Sequence, residues 1–285
     1  MSCRGRRFIV ECELMQEGYV PFGSSVIHYS WGGAGNRLLL CLHGYGESAE
    51  SFAFLEERLG MDFTILALNL PFHGGTEWKE GLYFDPEKLP LLIGEIVDGL
   101  PVTGDRWWLL GYSMGGRVAL SLLEKIPEKI EKLALIAPDG LKVNGWYWLA
   151  TQSQPGNRLF RWAMKRPGFF FPLIRMADKL RWVNPGIYKF IFRYISDAKV
   201  RDDLYKRWTV LRGFRPDIRA IRSIIREHHV QVRLLYGRHD RIIRAEKGEQ
   251  FRKGIEPWCR LDILDTGHHL LQVKYIDELI AWLEA

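Results

Sequence analysis

A serine held between glycines gives the clearest sign of chemistry in this sequence. Residues 111–115 (GYSMG) fit the pattern G-x-S-x-G and directly follow the apolar run WWLL. A helical stripe of apolar positions comes next, formed by Val118, Ala119, Leu122, Leu123 and Ile126. Between a strand and a helix, this pattern is typical of a tight turn that lifts a nucleophilic hydroxyl above a sheet. We therefore predict Ser113 as a nucleophile; the alternative is a glycine-rich turn whose serine only caps the helix.

A serine hydroxyl is a weak nucleophile unless a base removes its proton, and histidine is a natural base. His268 follows the last predicted strand, in the stretch LDILDTGHH. Catalytic groups collect at the carboxyl ends of strands in open α/β sheets, so His268 is the predicted base. Its neighbour His269 is the alternative.

An acid that orients the histidine should lie between the serine and the histidine in the chain. Asp240, in the stretch LLYGRHDRII, comes just after a predicted strand and is the favoured candidate. Asp139 also stands at a strand end and is the main competitor. Asp265 is nearer to His268 in sequence, but we assign it to the turn.

Acyl transfer also needs hydrogen-bond donors for a developing oxyanion. Residues 43–46 (HGYG) follow the first long apolar strand, and their glycines allow close approach of the main chain. The main-chain N–H groups of Tyr45 and Met114 are the predicted donors, although HGYG alone is as consistent with an ordinary turn. We expect His43 and His73, each followed by glycine, to shape loops through hydrogen bonds.

The elements that must position these residues are short apolar runs separated by turns and helical patterns. Such alternation predicts a mostly parallel sheet with helices on both faces. The predicted strands are residues 37–42, 63–68, 107–110, 132–136, 232–236 and 260–264.

One long segment interrupts this alternation, and its composition differs from the rest of the chain. Between Lys142 and Arg226 the sequence has 19 Lys or Arg and five Asp or Glu, whereas the whole chain has 40 and 34. Short helical patterns at 157–165, 186–195 and 198–211 are punctuated by Pro, Gly and aromatic residues. We interpret residues 141–229 as a helical lid inserted into a core formed by residues 1–140 and 230–285. The lid's aromatic residues would line a pocket, form a small core of their own, or do both.

Several other classes of site and location are disfavoured. The sequence has no apolar run long enough to span a membrane, no recognisable signal-peptide core, no phosphate-binding loop and no metal-ligand spacing. Its four cysteines lie far apart and form no C-x-x-C pair. We expect a cytoplasmic protein without metal or cofactor that binds a small-molecule substrate and no nucleic acid. Attachment of the basic lid to an anionic membrane is a less favoured alternative, and the oligomeric state is not predicted.

Taken in chain order, HGYG, NLPFHGGT, GYSMGG, GRHD and GHH resemble the motifs of the α/β-hydrolase superfamily. The resemblance covers the sheet-forming parts from about residue 37 onward. It implies an eight-stranded, mostly parallel sheet with a lid after the sixth strand, a triad of Ser113, His268 and Asp240, and an oxyanion hole at Tyr45 and Met114. Relatives of this fold that use a carboxylate at the turn are excluded by Ser113. The implied substrate is a small ester, thioester or related carbonyl compound.

One subfamily gives an alternative function. LPFHGGT and LLGYSMGGRVAL are similar to the menaquinone-pathway synthase, a lyase that acts on an anionic substrate. That resemblance implies that Arg117 holds substrate carboxylates, the alternative being a solvent-facing or salt-bridged helix residue. His43 and Tyr112 are further candidates for substrate contact. A third hypothesis is a ligand-binding protein that keeps the triad without turnover.

Overall fold

The apolar runs found in the sequence form the centre of a single sheet in a computed structural model of the chain. The structure describes residues 15–142, 145–166 and 196–284, and positions 168, 172 and 176 individually. Its strands are β1 (Gln16–Phe22), β2 (Ser25–Gly32), β3 (Arg37–Leu42), β4 (Phe63–Leu68), β5 (Trp107–Tyr112), β6 (Ile130–Ile136), β7 (Gln231–Gly237) and β8 (Cys259–Leu264).

The sheet has the order β1-β2-β4-β3-β5-β6-β7-β8. Strand β2 pairs antiparallel with β1 and with β4, and all the other neighbours are parallel. All six predicted strands are present, and the predicted mostly parallel sheet of eight strands is confirmed. The hairpin of β1 and β2 was not located from the sequence, because β1 lies at the sheet edge and lacks the continuous apolar run of a buried strand.

Helices cover both faces of the sheet. They are α1 (Glu56–Leu59), α2 (Leu89–Val97), α3 (Met114–Lys125), α4 (Gly145–Gln152), α5 (Gln154–Lys165), α6 (Ala198–Val210), α7 (Ile218–His228), α8 (Ala245–Arg252) and α9 (Ile276–Glu284). Alternate side chains of a strand point to opposite faces. In β3, Leu38, Leu40 and Leu42 therefore join a core with α2, α3, α7 and α8, whereas Leu39 and Cys41 join a second core with α1 and α9.

The connection from β6 to β7 contains α4, α5, α6 and α7. The predicted helical patterns at 157–165 and 198–211 correspond to α5 and α6, while the pattern at 186–195 lies outside the described residues. Aromatic rings join the helices: the ring of Trp208 on α6 lies 5.4 Å from Tyr147 and 5.8 Å from Phe160. Other aromatic residues of the segment also lie outside the description, namely Phe169, Phe170, Phe171, Trp182, Phe190 and Phe192. We call α4, α5 and α6 the insertion helices.

Helix α7 falls within the predicted lid of residues 141–229, and it packs against the sheet. Ile221 and Ile225 are fully buried in the same core as α3 and the sheet, so this helix covers the sheet as other crossover helices do. Its exposed side carries Arg219 and Arg226, so the basic window of the sequence extends over this helix. Among the described residues, no helix combines the length and apolar character needed to cross a bilayer.

Candidate active site

Ser113 stands at the turn between β5 and α3, in a backbone conformation that side chains rarely adopt. Its φ is 48° and its ψ is −112°, and a non-glycine residue in this region is strained. The neighbouring glycines make the turn sterically feasible: a Cβ on Gly115 would lie 1.9 Å from the carbonyl oxygen of Leu42, and one on Gly111 would lie 2.7 Å from the Cα of Gly116. The sequence pattern therefore reflects a real packing constraint at the predicted elbow.

His268 lies within hydrogen-bonding distance of this serine. Its Nε2 is 3.2 Å from Ser113 Oγ, although the two residues are 155 positions apart in the chain. The loop that carries it is held by Tyr112, whose hydroxyl donates to the carbonyl oxygen of His268 at 3.1 Å. Burial, with smaller contributions from Glu47 and Asp240, raises the pKa of Tyr112 well above its usual value, so its hydroxyl keeps its proton. Tyr112 thus holds the loop that carries His268 in place through this hydrogen bond.

Asp240 completes a hydrogen-bonded series. Its Oδ2 is 2.7 Å from His268 Nδ1, and its Oδ1 accepts hydrogen bonds from the main-chain N–H groups of Ile242 at 2.7 Å and Ile243 at 2.9 Å. The carboxylate is fully buried. Burial alone would raise the pKa of Asp240, but the hydrogen bonds from His268 and the two amides outweigh it, and the net pKa is lowered. Asp240 is therefore an ionised acceptor that orients the Nδ1–H of His268.

The competing residues lie elsewhere. Asp139 pairs with Arg117, with 3.5 Å between Oδ2 and the guanidinium, and Asp265 is 3.0 Å from Nε2 of His239. The ring of His269 is exposed and lies 6.1 Å from that of His268, centre to centre. Asp139, Asp265 and His269 therefore take no part in the hydrogen-bonded series that runs from Ser113 through His268 to Asp240.

Tyr45 and Met114 flank the serine on two elements. Met114 is the first residue of α3, and the first N–H groups of a helix lack partners within the helix. Gly44 packs so closely that a Cβ there would lie 3.0 Å from the ring of Tyr112 and 3.4 Å from Cβ of Ser113. The loop that carries Tyr45 therefore passes directly beside the serine, as an oxyanion hole at this position would require.

His43 has no ring nitrogen left for a substrate. It is fully buried; its Nδ1 bonds the carbonyl oxygen of Gly44 at 2.8 Å, and its Nε2 accepts from the N–H of Leu70 at 3.1 Å. Burial lowers the pKa of His43 to about 4, and burial together with the neighbouring His43 lowers that of His73 to about 2. Both rings are thus neutral and help to shape the loops after β3 and β4, as the loop-shaping interpretation expected. His43 does not fit as a substrate contact.

Arg117 is buried beneath the insertion helices. Its guanidinium lies 4.3 Å from the ring centre of Tyr147 on α4 and pairs with Asp139. Burial lowers the pKa of Arg117. The charge of Asp139 and the contact with Tyr147 together raise the pKa by more than burial lowers it, so the net shift is upward. This geometry matches the salt-bridged alternative and not a solvent-facing residue. Arg117 fixes α4 to α3 in the observed arrangement.

Two residues near the serine were not found by sequence reasoning. Arg207, on α6, donates from Nε to the carbonyl oxygen of Phe72 at 2.9 Å, and its guanidinium lies 5.5 Å from the ring centre of Tyr45. Glu47, in the loop after β3, interacts electrostatically with His268 and His269, and burial raises its pKa. Neither belongs to a recognisable motif, and only the fold brings them to the site.

One group of side chains among the described residues has spacing that could suit a metal ion. Ligand atoms of Glu17, His28 and Glu50 lie within 4.8 Å of one another. Asn69 Oδ1 accepts from the N–H of Ala49 at 2.7 Å, which fixes its amide so that Nδ2 donates to His28 Nδ1 at 2.5 Å. Because Nδ1 accepts this hydrogen bond, a ring proton sits on Nε2, which lies 3.8 Å from a carboxylate oxygen of Glu17. This nitrogen is a hydrogen-bond donor and has no lone pair to offer a metal.

Comparison with known proteins agrees with this fold. A family model described as "Alpha/beta hydrolase family" matches residues 39–282. The chain is 24% identical to an uncharacterized hydrolase of Saccharomyces cerevisiae over 266 residues, which are 90% of this chain and 91% of the yeast protein. A Bacillus subtilis protein provisionally named 2-succinyl-6-hydroxy-2,4-cyclohexadiene-1-carboxylate synthase is 33% identical over 112 residues, 39% of this chain and 40% of that protein. The thioesterase domain from the curacin biosynthetic pathway superposes with a TM-score of 0.63 at 17% identity, covering 95% of this chain and 99% of that domain, which shows a shared fold.

Proposed function

The chain belongs to the alpha/beta hydrolase family, and on that premise we propose that it is a serine hydrolase acting on a small ester or thioester through Ser113, His268 and Asp240. The observation that carries the proposal is the continuous hydrogen-bonded series from Ser113 Oγ through His268 to the buried carboxylate of Asp240. A strained serine at a helix start, a histidine and an ionised acid are the parts that acyl transfer requires.

The proposed reaction has two halves. Ser113 Oγ attacks the carbonyl carbon while its proton passes to His268 Nε2, which forms a tetrahedral intermediate. The bond to the leaving group then breaks, and the leaving oxygen or sulfur takes that proton from Nε2. Water attacks the resulting acyl-enzyme in the same way and gives a proton to Nε2. As the C–Oγ bond breaks, Oγ takes that proton from Nε2, which releases the acid and restores the serine hydroxyl. Asp240 holds the ring with Nδ1–H toward itself, so Nε2 faces the serine as an acceptor.

The developing negative charge needs fixed donors. We propose that the main-chain N–H groups of Tyr45 and Met114 supply them, because both residues flank Ser113 and Met114 begins a helix. The helix dipole of α3 adds a positive potential at the same point.

The test is the Ser113→Ala variant assayed with short p-nitrophenyl esters. We expect turnover to disappear while the melting temperature stays near that of the wild-type protein. A fluorophosphonate should label the wild-type protein and not the variant. Undiminished turnover by the variant would refute the proposal, and failure of the wild-type protein to react with any such probe would favour a ligand-binding role.

The lyase alternative rests on the partial similarity to the Bacillus subtilis protein. In that case the same three residues remove a proton from a substrate carbon, and no acyl-enzyme forms. Mass spectrometry of the protein quenched during turnover separates the two, because only acyl transfer leaves a substrate-derived mass on Ser113. The enclosed position of Arg117, between Asp139 and Tyr147, argues against its use as a carboxylate clamp in the observed arrangement.

A further inference from the structure

Helix α5 presents a face that is largely exposed to solvent. Its inner side faces α6: the ring of Phe160 lies 5.5 Å from that of Tyr205, and the Asn157 side chain bonds Ala150, Thr209 and Tyr205. These contacts fix the rotation of the helix. The outer face of α5, which we define as Arg158, Leu159, Arg161, Trp162 and Lys165, is exposed as a consequence.

This outer face has a basic half and an apolar half. With successive residues about 100° apart, Arg161, Lys165 and Arg158 fall within roughly 60° of arc, and Trp162 and Leu159 occupy the next roughly 60°. Leu159 is 60% exposed and Trp162 is 41% exposed. Large apolar side chains with this exposure beside a row of cations differ from an ordinary solvated helix face.

The other insertion helices also carry exposed apolar and basic side chains. On α4, Trp148 is 45% exposed and Leu149 is 43% exposed. On the other side, a groove of about 440 Å³ between α5 and α6 is lined by Arg161, Lys165, Arg201 and Lys206, with Asp202 as the single carboxylate among its lining residues. Helix α5 itself contains no Asp or Glu. The surface is therefore strongly positive and locally apolar.

We propose that the outer face of α5 docks on a lipid surface that carries anionic headgroups. Leu159 and Trp162 would enter the boundary between headgroups and acyl chains, while Arg158, Arg161 and Lys165 contact phosphates, which is the arrangement of interfacial amphipathic helices. Composition alone did not favour this partner; the arrangement of exposed residues on α5 does.

Two other occupants fit the surface less well. A nucleic acid would meet the cations and could stack a base on Trp162, but it would leave the exposed leucines Leu159 and Leu149 in contact with water. A second copy of the chain would set two basic faces against each other, at a cost in like-charge repulsion.

The test is co-sedimentation of the full chain with sucrose-loaded vesicles. One set contains equal parts of phosphatidylcholine and phosphatidylglycerol, and the other contains phosphatidylcholine alone. We expect binding to the anionic vesicles only, and loss of that binding at high salt. The triple variant Arg158→Gln/Arg161→Gln/Lys165→Gln should bind about a hundredfold more weakly, at roughly fivefold per charge. Leu159→Ser should weaken binding by about tenfold with the charge unchanged.

Matched controls come from the opposite end of the sheet. Arg106→Gln/Lys129→Gln/Lys253→Gln removes three exposed cations that precede β5, β6 and β8, and Met61→Ser removes an apolar side chain that is 88% exposed before β4. Both control variants should bind like the wild-type protein. Equal binding to both vesicle types, or equal losses in the α5 and control variants, would overturn the proposal. So would preferential binding of a single-stranded oligonucleotide, or a dimer in light scattering that Leu159→Ser dissociates.

Discussion

At the scale of one residue, the buried charge of Asp240 is stabilised and oriented by hydrogen bonds. Water is excluded from its carboxylate, yet two main-chain N–H groups and His268 each donate a hydrogen bond to it. A buried charge is tolerated only when its acceptor sites are filled in this way. Because the donors arrive from fixed directions, the orientation of the carboxylate is set before a substrate binds, and so is the orientation of the imidazole.

Asp240→Asn should lower kcat by about 10⁴-fold, with little loss of stability. The asparagine amide can donate to Nδ1, which would move the imidazole proton to Nε2 and leave no acceptor for the serine proton. Steady-state kinetics on a p-nitrophenyl ester would measure the effect. Asp139→Asn is the matched control, because Asp139 pairs with Arg117 and not with His268; a comparable loss in the control would contradict the assignment.

His43 makes stability depend on pH. Its pKa is lowered from 6.5 to about 4 by burial, so between these pH values the unfolded chain binds a proton that the folded protein does not. The free energy of unfolding should therefore be fully maintained above about pH 6.5. It should fall by about 3 kcal/mol as the pH drops to about 4, with a further fall in the same direction from His73.

Urea unfolding at pH 7 and pH 5 would measure this change. His43→Gln should lose less stability between the two pH values than the wild-type protein, because one of the titrating groups is gone. His239→Gln, at an exposed ring, should behave like the wild-type protein. A wild-type free energy of unfolding that stays constant from pH 7 to pH 5 would show that these rings do not titrate as their burial requires.

At the scale of elements, helix α6 reaches the loops of the candidate site through Arg207. The loop after β4 places Phe72 at a φ of 63°, a conformation that needs support, and its carbonyl oxygen accepts the hydrogen bond from Arg207. The same guanidinium lies over the ring of Tyr45, and a carboxylate oxygen of Asp203 lies 3.6 Å from it. One side chain thus links α6 to the loops after β3 and β4.

Arg207→Gln should lower kcat by about tenfold while KM changes little, because the Tyr45 loop would lose a support that matters most when charge develops on the substrate. Arg207→Lys should restore only part of the activity, since a lysine cannot reproduce both contacts of the planar guanidinium. Arg212→Gln is the control: Arg212 also lies 5.5 Å from an aromatic ring centre, that of Tyr83. Steady-state measurement of kcat and KM for the three variants would test this role of Arg207. If only the melting temperature of the Arg207 variants changes, Arg207 has a purely structural role.

The elements differed in how far the sequence revealed them. Strands buried on both faces are continuous apolar runs, and the turn at Ser113 is marked by glycines that packing requires, so both were predictable. The edge strand β1 lacks such a run. Helix α7 has both the buried stripe of Ile221 and Ile225 and exposed arginines, so its composition alone did not show which part of the chain it packs against. Arg207 could not be found, because its role depends on tertiary contacts with loops far away in sequence.

Over the whole molecule, charge is unevenly divided. The segment from Lys142 to Arg226 has 19 basic and five acidic residues in a chain whose net charge is +6, so the remainder is acidic. A field of this kind attracts anionic ligands toward the basic side before they touch the protein.

For a pair of esters that differ only in a distant carboxylate, we therefore expect kcat/KM to be higher for the anionic ester at low salt. The advantage should shrink as salt rises, because the screening length falls from about 10 Å at 0.1 M to about 3 Å at 1 M. Measuring both esters across this range separates steering from direct contact, since a buried ion pair would keep its preference at high salt. A preference for the neutral ester at low salt would rule out steering by the basic segment.

The adjacency of β6 and β7 has a consequence for diversification. The chain leaves the sheet after β6 and returns as the parallel neighbour β7, so both ends of the excursion are clamped side by side. A segment held in that way can lengthen, shorten or be replaced without moving the strands that precede Ser113 and Asp240. This segment can therefore be exchanged during evolution while the sheet is kept. In a designed chimera, the new segment should be joined before α4 and before α7.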